Sequence, residues 1–241
     1  YGGATYLIAA STNNNFNLGL AAGWAGLNTS TQFVANIIGA ATDGAAIGDN
    51  VEKFTTTDKR ALVSLKYSEK KEQAIDAFTN GWHVFKFNNF HSDAQDIYGE
   101  RPEKGEGALV EQFASVDFPL LRAAESYLIY AEAKTRIDGG STADAKAVKC
   151  ITDLQKRAGL NPAISSITLD NVFTEITREL YWEGLRRTTL IRFNKFVEGS
   201  YVWPFKGGAE SGQAHADHMK LFPIPDEDLV ANENLTQNKG Y

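Results

Sequence analysis

The spacing of apolar positions changes character near residue 117. In "DFPLLRAAESYLIYAEAKTRIDGG", Leu120, Leu121, Ala124, Leu128, Ala131 and Ala133 recur every three or four residues, the period of one helix face. The spacing predicts a helix over 118–136. Asp117 stands as N-cap, Pro119 sits in the first turn where its missing N–H costs nothing, and Gly139-Gly140 ends it. "STADAKAVKCITDLQKRAG" then restarts the pattern with Val148, Ile151, Leu154 and Ala158, Ser141 as cap and Asp144 three residues on, predicting 142–158. Two helices joined by so short a turn are expected to be antiparallel neighbours, a TPR-like hairpin of the kind that stacks in repeats. No second copy occurs in the chain, and one hairpin cannot bury both its faces. A third helix is predicted over 169–183 from Val172, Phe173, Ile176 and Leu180.

Upstream the pattern is looser. "NNNFN", "GAATDGAAIGDN" and "YGERPEKGEGAL" read as loops, rich in Asn, Gly and Pro. "STQFVANIIGAA" predicts a helix from Ser30 or Thr31 with Phe33, Val34, Ile37 and Ile38 on one side. "ALVSLKY" and "WHVFKF" read as short strands, the second alternating Trp82, Val84 and Phe85 with polar neighbours. The fold class that follows is mostly α, with one helical hairpin, extensive irregular loops and a few short strands. A loop-rich region spans 1–116 and a helical region 117–241. The closing "LFPIPDEDLVANENLTQNKGY" predicts an extended entry at Pro223 and Pro225 and a short turn from Asp226 to Leu229. Leu221, Phe222, Ile224 and Leu229 are expected to press on the domain as a strap.

Composition narrows the function. Of 241 residues, 43% are hydrophobic and 22% charged, with a formal net charge of −6, ordinary for a globular domain. The acidic balance and the lack of a Lys/Arg stripe argue against a nucleic-acid partner. No apolar run approaches the ~20 residues that span a bilayer. A single cysteine, Cys150, excludes an internal disulfide and reads as a buried thiol on a helix. The opening "YGGATYLIAAS" has neither a start methionine nor a charged leader, and the chain is expected to be a piece of a longer one.

Candidate chemistry is sparse. No nucleophile elbow or phosphate loop is present, and the 30 acidic residues offer too many carboxylate pairs to single one out for glycoside hydrolysis. His215, Asp217 and His218 could ligate a metal, but a Gly/Ala-rich loop without further ligands reads as solvated, so neither metal nor cofactor is expected. Arg178, Glu179, Glu183, Arg186, Arg187 and Arg192 crowd the third helix. They read as an ion-pair network to Glu125 and Glu132 of the hairpin rather than an anion site.

Five segments resemble, in order, the C-terminal portion of the SusD/RagB-like family: "FPLLRAAESYLIYAEAKTR", "LQKRAGL", "ITRELYWEGLRRTTLIRFNKF", "WPFKGG" and "LFPIPDEDLVANENLTQNKGY". "GWAGLNTSTQFV", "DKRALV" and "GWHVFKF" resemble the middle of its members. Thr189, Ile176-Thr177-Arg178 and Asn28 depart from the usual pattern. The resemblance implies a surface lipoprotein of the outer membrane, held there through an N-terminal lipid anchor that this chain does not carry. It implies a non-catalytic protein that binds oligo- or polysaccharide and delivers it to a SusC-like TonB-dependent transporter. A RagB-like peptide binder and a carbohydrate-active enzyme are the alternatives. Sugar rings stack on aromatic side chains, and the resemblance points to Trp24, Tyr1, Tyr6 and Asn28 as ligand-contacting residues. Trp24, flanked by Gly23 and Gly26, reads either as a surface platform or as core. Trp82, Trp182 and Trp203 are expected to pack.

Overall fold

A computed structural model describes residues 4–12, 18–20, 23–24, 26–38, 58–65, 68, 77–78, 80–89, 114 and 116–241, with 36–38 described at the backbone only. Tyr1 and the predicted loops at 13–17, 39–50 and 98–109 lie outside these residues. The described chain is mostly helical. In order it contains α1 (Thr5–Ser11), α2 (Thr31–Ile38), β1 (Val63–Ser64), β2 (His83–Val84), α3 (Ala123–Ile137), β3 (Ser141–Thr142), α4 (Ala145–Arg157), β4 (Ile167–Thr168), α5 (Leu169–Leu180), α6 (Arg186–Arg192) and α7 (Asp226–Ala231). Two compact units divide after Gly184, as Tyr1–Gly184 and Leu185–Tyr241.

In the first unit, α3 and α4 pack together and both meet α5. Their limits differ from the sequence pattern for local reasons. α3 starts at Ala123, not near Asp117, because Arg122 is extended at φ −134° and turns its guanidinium to Glu179 and Glu183. Leu120 and Leu121 are therefore exposed instead of joining the core stripe. α4 is capped by Asp144, whose side chain accepts from the Ala147 N–H, while Ser141 pairs with Thr168 in the antiparallel β3–β4 ladder. α5 opens with a capping box between Thr168 and Asn171, two orphan donors satisfied at once.

Two cores fill the unit. Val34, Ala61, Val63, Leu65, Trp82, Val84 and Tyr181 form one. Ala4, Ile8, Ala9, Leu18, Leu20, Phe85 and Ala114 form the other. β1 and β2 pair antiparallel, Val63 opposite Val84. The alternation expected of "WHVFKF" is absent, since Trp82, His83, Val84 and Phe85 are all buried. The strand is covered on both faces, Phe85 entering the second core while Trp82 and Val84 enter the first.

The loop-rich stretch is tied to α5 by buried charges. Arg60 Nη1 donates to Glu175 Oε1 at 2.5 Å and to Glu179 Oε2 at 3.2 Å, and its Nη2 meets Asp58 Oδ2 at 2.8 Å. Lys86 Nζ reaches Glu183 Oε1 at 2.5 Å. Arg122 bridges Glu179 and Glu183 at 2.9 and 2.8 Å, and Arg157 closes on Glu179 at 2.6 Å. The expected ion-pair network exists, and it includes cations from outside the third helix. α5 supplies carboxylates, and Arg60, Lys86, Arg122 and Arg157 supply the cations. Glu132 pairs with Arg136 on its own helix.

The second unit is organised around Lys206. Its ammonium donates to the carbonyls of Lys195 (3.3 Å), Glu198 (2.6 Å) and Tyr201 and lies 4.8 Å from the Trp203 ring centroid. The final segment is self-held. Gln237 pairs with both backbone groups of Ile224 at 2.9 Å, and the Tyr241 hydroxyl donates to the Leu221 carbonyl. The expected strap contacts are corrected in part: Leu221 and Phe222 are 57% and 69% exposed, and what holds them is their backbone, the carbonyls accepting from Tyr241 and Asn238. The acidic first turn of α7, Asp226 to Asp228, suits the positive end of a helix.

Candidate functional site

α1 buries Ile8, Ala9 and Ser11 and turns Tyr6 outward, 73% exposed. Trp24 stands beside it, 59% exposed, so the surface alternative for this residue holds. The two rings lie 5.9 Å apart between centroids with their planes tilted by 43°. The result is a bent, water-facing aromatic patch, unusual for groups that ordinarily contribute to cores.

The helix end sets this pairing. The last four carbonyls of a helix lack intrahelical partners. Here Ile8 accepts from the Thr12 N–H, Ala9 from the Trp24 N–H at 2.8 Å and Ala10 from the Leu27 N–H at 2.9 Å. The segment that carries Trp24 therefore caps the helix that carries Tyr6. Downstream, Thr29 exchanges backbone hydrogen bonds with Trp82.

Asn28 is not on the patch. It is buried, and its amide nitrogen donates to the carbonyls of Phe78 and Asn80, each at 3.1 Å. Its oxygen faces His83 Nδ1 at 2.9 Å, and His83 Nε2 lies 3.2 Å from Ser68 Oγ. Asn28 thus anchors the segment after Trp24, a role its isolated position in the sequence did not reveal. Of the four expected contact residues, the structure brings Tyr6 and Trp24 together, buries Asn28, and leaves Tyr1 outside the described residues.

Other candidate groups have internal partners. His215 packs on Phe196 at 4.8 Å, and burial holds its pKa below the ordinary value, with Lys206 acting in the same direction. His218 packs edge-on against Tyr241, and Asp217 pairs with Lys220. Among the described residues no group of three His, Cys, Asp or Glu side chains could hold a metal ion. Cys150 is buried, and burial pushes its thiol pKa up. Among the described residues no helix is long and apolar enough to cross a membrane. Arg187 lies over Phe222 at 4.1 Å and over Phe196 at 5.0 Å.

The described residues thus form a mostly helical scaffold with an exposed aromatic pair. The chain belongs to the SusD family, whose pattern it matches over residues 14–241. It is 36% identical over 168 residues to the starch-binding protein SusD of Bacteroides thetaiotaomicron, an alignment covering 70% of this chain and 27% of that protein. Among solved structures it resembles a SusD-like protein from Bacteroides fragilis, with a TM-score of 0.64 at 16% identity over 98% of this chain and 51% of that one. It also resembles surface glycan-binding protein A from Bacteroides uniformis, with a TM-score of 0.57 at 18% identity over 98% of this chain and 45% of that one. The chain therefore spans about a quarter to a half of the length of these relatives.

Proposed function

We propose that the protein is a non-catalytic, cell-surface glycan-binding member of its family that holds oligo- or polysaccharide for uptake. The observation that carries this reading is the exposed Tyr6–Trp24 pair. Two apolar rings kept in water are matched by the apolar faces of sugar rings, and the starch-binding relative makes an α-glucan the first ligand to try. Delivery to a SusC-like TonB-dependent transporter, and attachment to the outer membrane through a lipid on sequence outside these residues, complete the proposal. So does a helical segment, also outside them, that covers the outward face of α3.

Isothermal titration with maltoheptaose, cellohexaose, xylohexaose and a mixed peptide library tests it. Aromatic stacking on planar rings is worth ~1–3 kcal/mol per ring, so Trp24→Ala is expected to weaken oligosaccharide binding about tenfold with little change in melting temperature. Saturable binding of peptide alone would replace the glycan reading with a peptide-binding one. Product release from a labelled oligosaccharide would overturn the non-catalytic assignment. Unchanged affinity in well-folded Trp24→Ala would remove the aromatic pair from the site.

A further inference from the structure

We infer that Gly23 is the positioning residue of the aromatic pair, and that the pair is preset before any ligand arrives. The inference rests on the glycan reading above and adds what fixes the geometry. A Cβ built on Gly23 would lie 2.2 Å from the Thr12 carbonyl oxygen and 2.5 Å from the Thr12 Cβ. Both distances are far inside contact, so the chain at residue 23 passes where only hydrogen fits. Thr12 cannot yield easily. It is buried, its N–H is held by Ile8 at 2.9 Å, and its hydroxyl accepts from the Leu18 N–H at 3.3 Å. The obstructing atoms include backbone rather than only a flexible side-chain tip. A side chain at 23 would therefore push its own segment outward and carry Trp24 away from Tyr6.

The close passage has a purpose. It brings the Trp24 and Leu27 N–H groups onto the open carbonyls of Ala9 and Ala10. Helix capping and ring placement become one event. Because the hydrogen bonds are made within the protein, binding need not order this segment, a cost that otherwise weakens association. Gly26, three residues on, is different: among the described residues a Cβ there would meet only the Trp24 carbonyl oxygen, at 3.9 Å. The same substitution at the two glycines therefore separates a positional role from a general effect of glycine replacement.

Maltoheptaose titrations of the 241-residue chain carry the test, with wild type, Gly23→Ala, Gly26→Ala, Trp24→Ala and the double variant Gly23→Ala/Trp24→Ala. Gly23→Ala is expected to weaken binding about as much as Trp24→Ala, Gly26→Ala to leave it within twofold, and the double variant to bind no worse than Trp24→Ala alone. That last equality shows that Gly23 acts through Trp24; a lower melting temperature alone would not produce it. Wild-type affinity in Gly23→Ala beside a weakened Trp24→Ala would overturn the positional role and leave the glycan reading standing. Equal affinity of Trp24→Ala and wild type would overturn both. If Gly23→Ala does not fold, hydrogen exchange on ligand-free wild type decides. Protected amides at Trp24 and Leu27 support the preset pair, and amides that exchange freely until maltoheptaose is added overturn it.

Discussion

At the scale of single residues, the groups beneath the surface explain more than the groups on it. Asn28 satisfies two carbonyls and faces His83, so Asn28→Ala leaves buried polar groups without that partner. Such a loss costs about 1–3 kcal/mol, and a thermal melt should show it even without ligand. Lys206 makes a parallel case. It is 1% exposed, and burial draws its ammonium pKa down, opposed by Glu198, yet three carbonyls hold it. Lys206→Met keeps the stem and removes the donors. The expected outcome is faster hydrogen exchange through residues 195–203 and a loss of about 1–3 kcal/mol. Within "WPFKGG", Lys206 is thus a structural group.

At the scale of elements, α5 is the centre of the first unit. Removing one member of a buried ion pair strands the other, a loss of about 3–5 kcal/mol. Arg60→Ala, which takes a buried cation away from Asp58, Glu175 and Glu179 at once, should fall in that range by denaturant titration. Arg157→Ala, whose side chain is 58% exposed, should cost under about 1 kcal/mol. Burial opposes the charge of Glu179, but the hydrogen bond from Arg122 and the charges of Arg157, Arg122 and Arg60 hold its carboxyl below the ordinary value. A carboxyl lowered by folding stabilises above its unfolded value, about 4.3 for glutamate, and that stability is lost as pH falls through the lower folded value. Acid titration of Glu179→Gln should accordingly show a shallower decline below about pH 4.3 than wild type.

The helices themselves were legible because α3, α4 and α5 are long enough to repeat their apolar spacing and carry Gly or Thr signals at their ends. α1 was not, since seven residues give barely two turns and its amphipathic face is filled by segments distant in sequence. The ion network was legible as a density of charge on one helix. Its partners were not, because Arg60 meets Glu175 across 115 residues, a separation no local pattern encodes. Trp24 could be named, but its exposure depends on a close passage at Thr12 that composition does not show.

At the scale of the whole molecule, α3 has apolar residues on two sides. Leu128 and Ala131 enter the interior, while Ile129 and Ile137 remain 57% and 79% exposed, with Ala133 between them on the same outward stripe. A hollow of about 460 Å³ lies between α3 and α4, lined in part by Tyr127, Tyr130 and Cys150. Surface substitutions usually change stability by no more than about 0.5 kcal/mol, so Ile129→Glu should be nearly silent in the 241-residue chain. In a longer chain that carries the proposed covering helix, the same change buries a charge and should lower the melting temperature by several degrees. Equal effects in both would remove the covering segment from the proposal.

The placement of charges in α5 also bears on how the protein is made. Asp58, Arg60, Lys86 and Arg122 all precede Glu175, Glu179 and Glu183 in the chain. Synthesis proceeds from the N-terminus, so the cations emerge first and wait in water for carboxylates that arrive only when α5 is complete. The core that holds Trp82 needs Tyr181, so that core and the ionic lock between Arg60 and α5 both close over long sequence separations, which are the slowest to bring together. A nascent chain halted before residue 175 would lack Glu175, Glu179 and Glu183, and Arg60, Lys86 and Arg122 would stand without those partners.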